Sequence, residues 1–168
     1  MDRILNKIIE KIEDGKPLFT QSGIEPPAVI DFYAGQPEQP DRFEFITPAV
    51  FMDYSVDYNN EIVYIYLHAL YDFTPDTENI TPGRSDNFTH LAYYGLLKRI
   101  LRGVRCKPVF GVLKLYQDDP VTSDYAHYHR LTFACRLFDD LDDKYNKYVD
   151  VDPVTATVEK GKIKPMLP

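Results

Sequence analysis

The residues with the clearest potential for chemistry are two histidines two positions apart, His127 and His129. In a β-strand alternate side chains share a face, so the two imidazoles would lie side by side, as Zn²⁺ accepts. The spacing specifies no third ligand, which His68, His90 or an aspartate would have to supply. Two interpretations stay open, a metal site and ordinary half-buried histidines, and we expect the second, with no bound metal.

Carboxylates form the second group of candidates. Asp118-Asp119 and the aspartates between 139 and 143 could hold a cation or act as acid and base. They lie in loop-like sequence, whereas catalytic carboxylates need surroundings that shift their pKa values. The chain also has no glycine-rich phosphate loop, no nucleophile elbow and no H-E-x-x-H motif. We therefore expect no catalytic residue, no enzyme and no cofactor.

The two cysteines, Cys106 and Cys135, lie far apart without a C-x-x-C spacing. This pattern is typical of reduced, buried thiols in an intracellular protein. The N-terminal sequence is too charged for a secretory signal, and no apolar run approaches the roughly 20 residues of a membrane span. We expect synthesis in the cytoplasm and no contact with a membrane.

Positive charge is concentrated in one short stretch that contains Lys98, Arg99, Arg102, Arg105 and Lys107. Cations at the end of a helix favour the negative end of its dipole, which explains most of this cluster. The alternative is a contact with an acidic partner, including the acidic tail of a neighbouring copy. The net charge of −7 argues against broad binding to nucleic acid.

The clearest helical pattern runs from Ser85 to Val104. Ser85 or Asp86 can cap its first turn, and Gly103 supplies a left-handed stop. We expect one apolar stripe to face a core. Its members are Phe88, Leu91, Ala92, Leu96, Ile100 and Leu101.

The N-terminal part combines a short helix with a proline-rich region. Residues 2–13 read as an amphipathic helix, and residues 15–47 as an irregular insertion with possible strands at 28–33 and 43–46. A long stretch with little regular structure is often a binding loop or an arm.

Alternating runs predict strands at 49–56, 61–73, 109–117 and 125–138, the first two joined as a hairpin. One face of 61–73 suits a helix-covered core. The other face is too apolar for open water. We expect it to make contacts between subunits, together with the loop 74–84, the terminal segments and the basic helix end. The named interface residues are Ile62, Tyr64, Tyr66, Leu70, Arg99 and Arg102.

These elements predict an α+β fold: a mainly antiparallel sheet of four to five strands, a central helix across one face, and an N-terminal helix. The 168 residues are enough for one core. We expect a single domain at 1–138 and an acidic extension or arm at 139–168. Six aspartates between 139 and 152 outnumber two lysines, which argues for solvated backbone.

The order of elements and the phrases I-I-E-K-I, P-A-V-F-M-D-Y, E-I-V-Y-I-Y-L-H and H-R-L-T-F-A-C resemble the tail terminator, or tail completion, proteins of long-tailed bacteriophages and prophages. The resemblance implies a ring, commonly a hexamer, that caps the tail tube and joins it to the head. The partners would be other copies of the chain, the tail tube protein and head–tail connector proteins, with DNA only passing through. The location would be the virion tail, after assembly in the host cytoplasm.

A second hypothesis is a small cytoplasmic enzyme or ligand- or metal-binding protein. Its apolar sheet face would line a pocket with His127, His129 and His68 near the polar groups. A cavity converging on those histidines would favour this hypothesis, and a face buried against another chain would exclude it.

Overall fold

The computed structural model of the protein describes residues 1–39, 41–71, 88–107, 110–122 and 127–137. Two helices, a single 3₁₀ turn and seven strands make up this part of the chain. The helices are α1 (Asp2–Gln21) and α2 (Thr89–Leu101), and the 3₁₀ turn is Gln36–Glu38. The strands are β1 (Val29–Phe32), β2 (Ala49–Asp57), β3 (Ile62–Leu70), β4 (Arg105–Cys106), β5 (Phe110–Val112), β6 (Lys114–Thr122) and β7 (His127–Arg136).

Five of the strands form one sheet in the order β1-β2-β3-β7-β6, and β4 pairs with β5 in a small second sheet. Only β1 and β2 run parallel, so the large sheet is mainly antiparallel. The predicted α+β class is confirmed. The predicted hairpin is also present, with Asp57 opposite Ile62 and the Asp57 carboxylate accepting hydrogen bonds from the N–H groups of Asn59 and Asn60.

Both helices pack on the same side of the sheet and enclose the main core. The face of β3 that alternation assigned to a helix-covered core is fully buried there. Neighbouring strands supply further apolar side chains to this core, and the apolar side chains of α1 pack against it. The principal sheet members are Val50, Met52, Val63, Ile65, Leu67, Ala69, Leu131, Phe133 and Cys135, and those of α1 are Ile4, Leu5, Ile8, Ile12 and Phe19.

The buried face of α2 is rotated from the predicted stripe. Phe88 and Leu91 are 46% and 44% exposed, while Tyr93 and Tyr94 are buried. A tyrosine ring is apolar, and the Tyr93 hydroxyl reaches the carbonyl of Ala49 at 3.4 Å, so the core accepts these rings. Leu101 is buried as predicted, and Leu96 and Ile100 pack against the core. The stripe was wrong in its first half, where Phe88, Leu91 and Ala92 are exposed.

The first helix continues past its predicted end at residue 13 to Gln21, through Gly15 and Pro17. Proline inside a helix removes one hydrogen-bond donor and costs about 3 kcal/mol. Tertiary contacts offset this cost, because Phe19 is buried with its ring centroid 5.4 Å from that of Tyr93. The helix therefore extends for packing reasons that its local sequence does not reveal.

Two other predicted boundaries are corrected. Residues 43–46 form no strand, and the acidic stretch from Asp118 to Thr122 belongs to strand β6 rather than to a connection. Pairing with β7 extends β6, and Pro120 is tolerated because β6 is the last strand in the sheet order. The predicted loop 74–84, the first residues of the central helix and the extension 139–168 lie outside the described residues.

Neither described helix has the length and apolar character needed to cross a bilayer.

The contact between the two helices gives a first prediction. A Cβ atom on Gly15 would lie 2.5 Å from Cδ1 of Ile100. We expect Gly15→Ala to lower the free energy of unfolding by about 1 to 2 kcal/mol, because overpacking outweighs the better helix propensity of alanine. Urea denaturation measures this change, and Gly15→Ala combined with Ile100→Ala should recover part of the loss.

Gly95 is the matched control, since a Cβ atom there meets no other atom within 4 Å. Gly95→Ala should raise the free energy of unfolding by about 0.5 to 1 kcal/mol. Equal effects at the two glycines would contradict the close approach of the helices.

Candidate functional site

The second side of the sheet is divided into a covered half and an open half. The chain after β1, residues 33–39 and 41–45, lies over the covered half, and we call it the covering segment. It buries Phe51, Leu70 and Tyr128, with Phe45 packing edge-on against Phe51 at 4.9 Å between ring centroids. The proline-rich insertion therefore covers an apolar face of its own chain.

A single carboxylate fastens the covering segment to the sheet. Glu38 accepts hydrogen bonds from the hydroxyl of Tyr33 at 2.9 Å and from that of Tyr128, on β7, at 2.5 Å. Burial, followed by the hydrogen bond to Glu38, raises the pKa of Tyr33 to about 12 and that of Tyr128 further. Both phenols therefore stay neutral donors at physiological pH.

Gln36 holds the bend of the covering segment. Its side-chain oxygen accepts from the N–H of Ala34 at 2.6 Å, and its amide nitrogen donates to the carbonyl of Phe32 at 2.7 Å. The side chain is buried, so these bonds replace the water it has lost. The preceding Gly35 has a positive φ of 85°, which allows the sharp entry into the 3₁₀ turn.

His68 lies beneath this cluster. Its ring stacks on Tyr33 with centroids 3.8 Å apart and an interplanar angle of 9°. Burial lowers the pKa of His68 to about 4, and its Nδ1 atom is buried without a hydrogen-bond partner among the described residues. His68 is therefore a neutral aromatic packing residue near pH 7.

The open half of the sheet carries partly exposed tyrosines. Tyr64 contacts Tyr116 edge-on at 5.6 Å between centroids, and the hydroxyl of Tyr66 lies 2.9 Å from Oγ of Ser55. Tyr116 is 67% exposed. An open groove of about 590 Å³ lies at this end and is lined in part by Ile62 and Tyr116.

The structure separates the six residues named as interface candidates. Ile62, Tyr64 and Tyr66 lie half-buried on the open half, and Arg99 and Arg102 are exposed at the end of α2. Leu70 is fully buried under the covering segment, and its inclusion is corrected: its side chain already packs within its own chain. The remaining five are available for contacts.

A second polar cluster lies on the helix-covered side of the sheet. Asp118 on β6 is 2.7 Å from Nζ of Lys98, on α2, and its other oxygen is 2.7 Å from Nδ1 of His129, on β7. The His129 ring stacks on Tyr94 with centroids 4.1 Å apart. Burial raises the pKa of Asp118, but hydrogen bonds from Lys98 and His129 outweigh it and give a net lowering.

A carboxylate beside an imidazole nitrogen is also the arrangement by which enzymes orient a histidine base. The described hydrogen bonds give neither His129 nor His68 a serine, threonine or cysteine partner. In this part of the chain the Asp118 carboxylate joins α2 to β6 and β7.

Among the described side chains, His68 and His129 do not converge on a common pocket. His68 pairs with Arg130 and His129 with Ala69 across neighbouring strands, so the two imidazoles project from opposite faces of the sheet. The side chain of His127 lies outside the described residues. Across the described ranges no group of three or more His, Cys, Asp or Glu side chains could hold a metal ion.

Sequence reasoning missed both carboxylate clusters for identifiable reasons. Glu38 lies in the proline-rich region and is ninety positions from Tyr128, so no local pattern connects them. Asp118 and His129 lie on paired strands. Extending the alternation of the 109–117 strand by a few residues would have brought them together.

Comparisons of this chain with models of known protein families, with curated proteins and with solved structures found no match.

Burial of His68 makes stability depend on pH. Its pKa is about 4 when folded and about 6.5 when unfolded. As pH falls, the unfolded chain therefore binds a proton before the folded chain does. The free energy of unfolding decreases by about 2 to 3 kcal/mol between pH 6.5 and pH 4. His68→Phe keeps the stacking and should remove this loss while leaving stability at pH 7 at least unchanged.

Urea denaturation between pH 4 and pH 7 measures the difference in free energy of unfolding between parent and variant. The contributions of other titrating groups are the same in both proteins and cancel in this difference. If the difference in free energy of unfolding between parent and variant stayed constant across this window, the pKa of His68 would be the same in the folded and the unfolded chain. This result would contradict the prediction.

Asp118 gives a prediction with a different pH window. Asp118→Asn should lower the free energy of unfolding by about 2 kcal/mol near pH 7, because two charge-assisted hydrogen bonds are lost. The pKa of Asp118 is lowered in the folded chain, so the loss is complete above the unfolded pKa and disappears as pH falls through the folded pKa.

Asp119 is the matched control, as a neighbouring carboxylate whose ion pair with Arg130 spans 3.3 Å near the surface. Asp119→Asn should cost less than about 1 kcal/mol. Denaturation curves at pH 7 and near pH 3 distinguish the two variants, and equal losses would contradict a special role for Asp118.

Proposed function

We propose that the chain is a structural subunit that assembles with copies of itself into a ring, as a tail terminator of a long-tailed bacteriophage or prophage. The observation that carries this proposal is the open half of the sheet, where exposed aromatic side chains lie beside a strand edge that no described strand covers. The resemblance in the order of elements supplies the particular virion position.

The edge is formed by β6, the last strand of the sheet order. Unpaired N–H and C=O groups on such an edge are a template for a strand of another molecule. Register shifts between Leu115 and Gln117 leave Tyr116 outside the pairing with β7. An apolar surface next to such an edge favours assembly over exposure to water.

The opposite end of the sheet supports a closed ring. There β1 is the last described strand, and its Phe32 is exposed. A contact between β6 of one copy and β1 of the next would join two different surfaces. Contacts of this head-to-tail kind generate rings when the rotation closes.

The polar clusters support a structural rather than a catalytic role. The carboxylates of Glu38 and Asp118 each bind two donors of their own chain. The net charge of −7 also suits a ring through which DNA passes, because an acidic wall repels phosphate.

Light scattering after size exclusion tests the proposal. We expect a closed oligomer, with a hexamer as the expected size. Tyr116→Asp should shift the mass towards the monomer, because it places a charge in the apolar contact. Phe88→Asp is the control, since Phe88 is 46% exposed at the start of α2, on the other side of the sheet.

A monomer at every concentration would contradict self-assembly. Equal dissociation by both substitutions would place the contact elsewhere. Electron microscopy of the oligomer, with and without added tail tubes, tests the position in the virion.

A further inference from the structure

The described part of the chain contains one concentrated group of cations that lack acidic partners. Arg99, Arg102, Arg105 and Lys107 are exposed, and none forms an ion pair with a described residue. We call these four residues the basic surface. Six other described cations lie within 4 Å of a carboxylate, namely Lys7, Lys11, Lys16, Lys98, Arg130 and Arg136.

The four cations are neighbours in the fold. Arg99 and Arg102 lie three positions apart near the end of α2, so they share a helix face. Arg105 begins β4 directly after the helix, and Lys107 follows that strand. The helix dipole offsets a fraction of one charge, which leaves most of the positive charge uncompensated in a chain of net charge −7.

The described chain ends close to this surface. Leu137 forms a β-bridge with Phe110, and Phe110 pairs with Cys106, between Arg105 and Lys107. Adjacent strands are about 4.8 Å apart, so Leu137 lies about 10 Å from Cys106. An extended chain covers about 3.3 Å per residue. Residues 139–143 are therefore within reach of the basic surface.

The sequence that follows Leu137 has the complementary charge. Residues 139–152 contain six aspartates and two lysines. We propose that this acidic segment binds the basic surface of its own chain. A short tether gives an effective concentration in the millimolar range, so weak exposed ion pairs suffice. The bound segment also keeps other polyanions, such as DNA, away from the only concentrated cations of the described chain.

Limited trypsin digestion of the full chain tests the proposal, because Lys144 and Lys147 lie inside the acidic segment. Intact mass spectrometry measures the fragments that end at these lysines. The basic-surface variant is the triple substitution Arg99→Gln/Arg102→Gln/Arg105→Gln. We expect trypsin to cleave this variant after Lys144 and Lys147 about 5- to 30-fold faster than the parent, because three exposed ion pairs are lost. Circular dichroism verifies that the variant is folded.

The matched control removes three exposed cations elsewhere, as Arg3→Gln/Arg42→Gln/Arg130→Gln. Cleavage in this control should equal that of the parent. Raising the salt should accelerate cleavage of the parent much more than that of the basic-surface variant, since salt screens exposed charges. Equal cleavage rates in all three proteins would overturn the proposal.

Two further outcomes identify another occupant. Protection that grows with protein concentration would show that the segment binds a second copy, which overturns the same-chain arrangement. Binding of a fluorescent DNA duplex to the parent at physiological salt, lost in the basic-surface variant, would assign the surface to nucleic acid. The comparison of parent, basic-surface variant and control at one low protein concentration does not depend on ring formation, so this inference and the proposed function fail separately.

Discussion

The fold depends on one constraint: strand β3 is apolar on both of its faces. Val63, Ile65 and Leu67 on one face are buried under the two helices. His68 and Leu70 lie under the covering segment. A strand of this kind cannot belong to a sheet with one solvated side. The proline-rich insertion is therefore a second layer of the domain, and the open half of the sheet is the part of that face it does not reach.

Half-buried carboxylates fasten the two layers to the sheet. Glu38 joins the covering segment to β7 through tyrosine hydroxyls, and Asp118 joins α2 to β6 and β7 through a lysine and a histidine. Each carboxylate loses water on burial and regains hydrogen-bond donors from distant parts of the chain. Such bonds are directional, so they set the position of each layer where apolar packing alone would allow sliding.

The surface left by this construction has two contrasting regions. At the β6 edge, aromatic side chains lie beside backbone groups that no described strand covers. At the end of α2, cations that have no ion-pair partner among the described residues lie near the point where the described chain ends. The first region supports assembly with other copies, and the second supports a contact within one chain. Both follow from surfaces that the described residues leave uncovered.

The sequence by itself determined the α+β class, the β2–β3 hairpin and the inward face of β3, because alternation and turn residues act over a few positions. Only the tertiary structure decided that α1 passes through Pro17, that Tyr93 belongs to the core, and that Glu38 meets Tyr128. These features depend on contacts between distant residues, which outweigh local preference where a side chain is buried. The opposite orientations of His68 and His129 were likewise decided by strand pairing, which the separate runs could not reveal.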